Sequence, residues 1–220
     1  GYNDISLQYQ YAPEAIIKSV DTVNQALKFI TDHAQQYRIN ANQIYLAGDS
    51  AGANLVSHYA ALISNPTFAQ QSNFKPLIQR EQIKGLILHC GIYDMNAFIH
   101  TAPDELKLIE CGGLTGSKLN DNKKDDVKFL KSISPIQYLT ANYPPVFISG
   151  GNKDFLTKTQ SEPFVKVLMS QKIPVTEVFY PDAKEFLVHE YQFMMSKAAS
   201  QETFKKTIAF INHYSLSSEK

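Results

Sequence analysis

Ser50 stands at the centre of Gly48-Asp49-Ser50-Ala51-Gly52, a G-x-S-x-G spacing that can turn a serine hydroxyl into a nucleophile. A hydroxyl is a poor nucleophile at neutral pH. It needs a general base within hydrogen-bond reach, and the base needs an orienting acid. Six histidines are available: His33, His58, His89, His100, His189 and His213. With this type of serine turn the chain order is serine, acid, histidine. His33 precedes the serine, and His58 falls on the helix expected after it. His89 lies inside an expected strand, His100 at the start of an insertion and His213 deep in the last helix. His189 follows the last expected strand and is the choice for the base. Asp154, in the Gly-rich loop Gly150-Gly151-Asn152-Lys153-Asp154, is the first choice for the acid. Asp94, one strand earlier, is the runner-up. Asp182 would need an unusually tight loop, and Asp49 reads as an anchor of the serine turn.

A strand, a sharp turn and a helix must carry Ser50. Ile44-Tyr45-Leu46-Ala47 is a short apolar run suited to a buried strand. After Ser50, Leu55, Tyr59, Leu62 and Ile63 recur at helical spacing. Gly48 and Gly52 are both expected to be required, because a side chain at either would collide with the strand or helix beside it. The turn aims the helix N-terminus, and the Ala51 amide, at the carbonyl that reacts.

The other elements follow the same logic. Ile5-Ser6-Leu7-Gln8-Tyr9 reads as a strand, and Ile16, Val20, Val23, Leu27 and Ile30 as one apolar helix face. Residues 65–80 read as loop, broken by Pro66 and Pro76. Ile83–Cys90, Pro144–Ser149 and Val175–Tyr180 read as strands. A helix from about Gln160 to Gln171 tolerates Pro163 only in its first turn. The last helix is expected to carry Phe204, Ile208, Ile211 and Tyr214 on one face, with Ser200 as N-cap. Strands alternating with helices imply an α/β protein with a mostly parallel sheet flanked by helices. Ser50, Asp94, Asp154 and His189 each follow a strand, where such sheets gather active residues. Residues 95–134 read as a cap-like insertion, with Phe98, Ile99, Leu106, Leu108 and Phe129 as candidates for an acyl-binding wall, or for a small local core.

Composition narrows the class. The 220 residues suit one domain, 44% hydrophobic and 19% charged. With 21 basic and 21 acidic residues there is no charge footprint for nucleic acid or an anionic membrane. No apolar run nears the roughly 20 residues of a membrane span, and Gly1-Tyr2-Asn3-Asp4-Ile5 is not a signal peptide. Cys90 and Cys111 make no disulfide framework and fit a reducing compartment, or a simple accident of composition; localisation is left open, with the cytoplasm favoured. No cysteine or histidine pair has metal-site spacing, and no cofactor is expected. A homo-oligomer is left open.

Several segments, taken in order, resemble the hormone-sensitive-lipase-like branch of the α/β-hydrolases. They are Tyr9-Gln10-Tyr11-Ala12-Pro13-Glu14, Gly48–Leu55, Ser134-Pro135-Ile136 with Pro144-Pro145-Val146, Gly150–Asp154 and His189-Glu190-Tyr191-Gln192-Phe193. The resemblance covers nearly the whole chain, and the serine turn and the Ala-Pro-Glu segment are its most specific parts. It implies a carboxylesterase acting on short acyl esters, with Ser50 as nucleophile, Asp154 as acid, His189 as base and Ala51 N–H as one oxyanion donor. Two departures stand out. Gln10 replaces the family's usual arginine, and the family's His-Gly-Gly oxyanion loop, which precedes the Tyr-x-x-Ala-Pro-Glu segment, is missing, along with its first three strands. The expectation is therefore a C-terminal portion of a longer protein, weakly active and prone to aggregate when isolated. Either the Ile5 and Ile44 strands face an open gap, or they pair directly. Gly112-Gly113 is the one alternative source of oxyanion amides.

Two further functions compete with a serine esterase. An amide-cleaving relative, such as a formamidase or peptidase, would use the same residues, because leaving-group choice lives in the pocket. A catalytically impaired hydrolase fold kept as a binding module is the other.

Overall fold

The computed structural model describes residues 2–9, 16–104 and 124–216. Its centre is a four-stranded parallel sheet in the order β1 (Ile44–Asp49), β2 (Ile83–His89), β3 (Val146–Gly150), β4 (Val175–Phe179). After a register shift between Ile44 and Tyr45, the pairing runs in step, with Leu88 opposite Gly48 on one side and Ile148 on the other. Because strand side chains alternate in direction, each strand feeds two cores. Leu46, Leu86, Leu88, Val146 and Ile148 face the larger core, whereas Ile87, Phe147 and Val178 face the smaller. Full burial of a side chain of this size contributes about 1.5–3 kcal/mol.

Helices cover both faces. On the larger core lie α1 (Ile16–Asp32), through Ile16, Val20, Val23 and Leu27, and α3 (Ser50–Ser64), which is buried nearly all round. The short helix α2 (Ala34–Tyr37) continues from α1. The smaller core is closed by α8 (Ala198–Leu216) through Phe210, with Ile211 and Tyr214 beside it. Gly85 of β2 permits this approach, since a Cβ there would stand 2.8 Å from the Phe210 ring. The α8 face is turned relative to the sequence reading. Phe204 is exposed, and Thr203 and Phe210 point inward. Thr203 is admitted because its hydroxyl is satisfied, donating to Ala199 O at 2.8 Å and bonded to Tyr191 Oη at 2.9 Å. Ser200 is no N-cap. It is buried two residues into α8 and donates to Tyr191 O at 2.6 Å.

Other expectations also change. Residues 2–9 form no strand, and the only ladder of β1 among the described residues is with β2. Ile5 and Leu7 are exposed there, so the run lacks both the ladder partner and the buried face that define a strand. Part of the expected loop after Asn65 is the helix α4 (Pro66–Gln71), where Pro66 occupies the first turn and Asn65 caps it by accepting from Phe68 N at 3.0 Å. Two helices from the expected insertion, α5 (Met95–Thr101) and α6 (Lys124–Ser132), pack on each other. Phe98 belongs to the larger core, with Ile99 and Phe129 against its edge. Gln10, Leu106, Leu108, Cys111 and Gly112-Gly113 lie outside the described residues. Helix α7 (Glu162–Ser170) has Pro163 in its first turn, preceded by a π turn over Thr157–Ser161. Proline cannot donate a backbone hydrogen bond, and the wider turn accommodates the lost bond. Among the described residues, no helix is long and apolar enough to cross a membrane.

Candidate active site

The serine turn has the form the motif demands. β1 ends at Asp49 and α3 begins at Ser50, whose φ of 49° lies in the left-handed region. A non-glycine residue held there costs of order 1–3 kcal/mol and persists only where its surroundings enforce it. Gly48 is the required glycine, since a Cβ there would fall 2.4 Å from Gly52 C and O. Gly52 is not. Outside its own helix a Cβ at Gly52 would meet nothing nearer than Asp49 Oδ1 and Tyr9 Oη, both at 4.0 Å. The crowding runs one way, with Gly48 yielding to the backbone of Gly52. Asp49 holds the N-cap position without a side-chain cap hydrogen bond. The amides of the first turn of α3, including that of Ala51, have no acceptor within the helix.

Ser50, His189 and Asp154 meet although they come from β1, β4 and β3. His189 Nε2 is 3.1 Å from Ser50 Oγ, and His189 Nδ1 is 2.9 Å from Asp154 Oδ2. The Asp154 side chain is 1% exposed and that of His189 40%. The other oxygen of Asp154 accepts from Leu156 N at 3.0 Å, so both are engaged. The acid and base loops are bolted together by one backbone hydrogen bond and by the Asn152 side chain. Lys153 N donates to Leu187 O at 3.0 Å, and Leu187 N donates to Asn152 Oδ1 at 3.1 Å. Asn152 Nδ2 donates to Ala183 O at 2.8 Å and Glu185 O at 3.1 Å. Beyond His189, Gln192 Nε2 donates to Ser149 Oγ at 2.8 Å, and that hydroxyl is 2.7 Å from His89 Nδ1.

The tightest contact in this assembly is at Gly151, where a Cβ would lie 2.0 Å from Leu187 O. Gly151→Ala should therefore force the two loops apart and destabilise the protein by about 2–4 kcal/mol, read from its urea midpoint. An unchanged midpoint would refute the close approach.

Electrostatics follow from burial and neighbours. The Asp154 carboxylate, helped by the Cys90 sulfur, raises the His189 pKa above its ordinary 6.5. Burial, and then the carboxyl of Asp49, raises Glu190, whose Oε1 stands 3.9 Å from His189 Nε2. His58 and His89 are pushed down to about 4 by burial.

The rival residues have other partners. Asp94 caps α5, accepting from Ala97 N at 3.0 Å. The Gln160 amide braces the Asp94 segment, accepting from Tyr93 N at 2.9 Å and Asp94 N at 2.8 Å. Asp182 is exposed. His33 Nδ1 lies 2.8 Å from Phe29 O, and His58 meets the edge of Phe68 inside the core. One neighbour escaped the sequence reading. Cys90, fully buried at the end of β2, places its sulfur so that it, an Asp154 oxygen and a His189 nitrogen all lie within 4.8 Å of one another. No spacing signal could have found it, because the three residues are distant in sequence.

The model of the BD-FAE family matches residues 1–168. The chain belongs to the BD-FAE family. Among its curated relatives is a probable carboxylic ester hydrolase, LipM, of Mycobacterium tuberculosis. It is 24% identical over 204 residues, which cover 91% of this chain and 44% of that protein. The esterase LipQ of the same organism is 24% identical over 170 residues, covering 76% of this chain and 38% of LipQ. This BD-FAE chain thus spans less than half the length of the two curated relatives it matches. Its fold is shared with esterase B of Lactobacillus rhamnosis, at a TM-score of 0.76 and 16% identity, over 96% of this chain and 65% of that one. The α/β-hydrolase fold expected from the motifs is the fold of these esterases.

Proposed function

We propose that this BD-FAE protein is a serine hydrolase that cleaves short-chain carboxylic esters through an acyl-enzyme on Ser50. The observation that carries the reading is the hydrogen-bonded chain from Ser50 Oγ through both nitrogens of His189 to a buried Asp154 carboxylate. Neutral His189 takes the Ser50 proton on Nε2 as Oγ bonds to the ester carbonyl carbon. The carbonyl oxygen becomes an oxyanion against Ala51 N–H, at the positive end of α3. The carbon–oxygen bond to the alcohol then breaks, and the imidazolium returns its proton to the departing oxygen. Water, deprotonated by the same nitrogen, hydrolyses the acyl group from Ser50. Throughout, Asp154 holds the proton-bearing Nδ1 and stabilises the transient imidazolium. The short-chain preference is carried over from the motif resemblance, and Ile99 and Phe129, at the edge of the larger core, are candidates for the acyl wall.

The test is labelling with a fluorophosphonate probe, with the modified peptide identified by mass spectrometry. Ser50 is expected to carry the label in the wild type and to lose it in His189→Ala, because the probe reports an activated hydroxyl. A folded wild-type protein that stays unlabelled would overturn the proposal in favour of a binding module.

A further inference from the structure

Cys90 is the group beside the site that acyl transfer does not use. Its φ of 41° is left-handed, unusual for a residue that is neither glycine nor asparagine, and its N–H is bonded to Ser149 O at 2.9 Å. That posture holds the buried thiol against the Asp154–His189 pair. We propose that Cys90, Asp154 and His189 form an inhibitory site for a thiophilic divalent cation, with Zn²⁺ as the representative ligand.

Thiolate, imidazole and carboxylate are the three donor types that zinc takes, and three such ligands with water in the fourth position make a complete tetrahedral set. Zinc bonds of about 2.0–2.3 Å imply ligand-to-ligand separations of about 3.6 Å. The three donor atoms here lie within 4.8 Å of one another, so closing on an ion asks for shifts of about an ångström. Cys90 and Asp154 lie in the turns that follow β2 and β3, and His189 reaches them on the long segment after β4, which Asn152 holds in place. Of the three side chains His189 is the exposed one, so an ion reaches the cluster from its side.

Binding exchanges a proton for metal. The ion bonds to Cys90 Sγ, an Asp154 oxygen and His189 Nδ1, while the thiol proton passes to water and the imidazole proton moves from Nδ1 to Nε2. The hydrogen bond between Nδ1 and Asp154 is replaced by metal bonds to both. With its proton on Nε2 and its Nδ1 on a dication, the imidazole has no lone pair facing Ser50, which loses its proton acceptor. The inhibitory consequence rests on the esterase reading, whereas metal binding itself does not.

The experiment combines Zn²⁺ inhibition of p-nitrophenyl ester hydrolysis with the absorption spectrum of the Co²⁺-loaded protein. Wild type is expected to be inhibited, to recover on chelation, and to show a thiolate-to-cobalt charge-transfer band. Cys90→Ala, normalised to its own rate, is expected to need about tenfold more Zn²⁺ or above and to lack the band. Cys90→Ser, which nearly keeps the side-chain volume, serves if the alanine variant does not fold. Equal Zn²⁺ sensitivity in wild type and variant, or no charge-transfer band in wild type, would overturn the site. If no ester is hydrolysed at all, the cobalt spectrum still decides the site, and the two failures stay separate.

Discussion

Ser50→Ala should lower kcat/KM for p-nitrophenyl acetate or butyrate by about 10⁴–10⁶-fold, with the thermal midpoint nearly unchanged. The size follows from mechanism. Without Oγ there is no atom to form the acyl bond, so the water route remains, helped by binding and the Ala51 amide alone. His189→Ala should cost a similar factor, and the double variant little more, because members of such a set act as a unit. The fold should tolerate Ser50→Ala, since Ser50 Oγ is bonded to the half-exposed imidazole rather than to the core. Alanine also keeps the Cβ that the left-handed φ of 49° already accommodates. An unchanged hydrolytic rate in Ser50→Ala would remove the mechanism.

The second large effect belongs to Asp154→Asn, which should lower kcat by about 10⁴-fold, less than the loss at Ser50. The amide turns its NH₂ or its carbonyl toward Nδ1. With the NH₂ inward, the imidazole proton moves to Nε2 and points at the hydroxyl it should deprotonate. The pH profile supplies the diagnostic. Asp154 is the leading cause of the raised His189 pKa, so removing its charge lowers that pKa. Catalysis needs neutral imidazole, so the acidic limb of kcat/KM should move to lower pH in the variant while the plateau falls. Stability carries the complementary sign. The raised folded-state pKa means that the imidazolium stabilises the native protein fully below the ordinary value of 6.5. This contribution fades as pH rises through the folded value. Asp154→Asn should therefore lose more stability in mildly acidic solution than in alkaline solution. A limb that stays in place, with a uniform loss of stability, would show that Asp154 does not govern His189.

The placement of the candidate site residues was readable where its physics is local or topological. The Gly48 crowding sits within one turn, and the rule that active residues follow parallel strands brought Asp94, Asp154 and His189 forward, with chain order and the Gly-rich loop favouring Asp154 and His189. The geometry of their loops was not readable. Asn152, through its side-chain amide, and Gly151, through the side chain it lacks, set the distance between acid and base by contacts that no residue pattern encodes. Cys90 entered the neighbourhood through a left-handed φ, which is a property of conformation. The α8 face was misread because Thr203 counts as polar in a periodicity argument, yet it is buried with its hydroxyl satisfied. The Ile5 run has strand propensity, but propensity without a ladder partner makes no strand. Helix α4 was hidden by Pro66, which breaks helices internally and begins them at the first turn.

One consequence of the strand order is mechanical. β4 and β1 are the outermost strands of the described sheet, about 14 Å apart at the usual strand spacing. The segment from Tyr180 to His189 must cross that whole width to bring an imidazole from one edge to the serine at the other. It is a cantilever, and Asn152 is its mid-span prop, gripping Ala183, Glu185 and Leu187. Residues added before Ala183 are absorbed on the anchored side of the prop, like slack behind a clamp. Residues added between Leu187 and His189 lengthen the free arm, and its tip swings past Ser50.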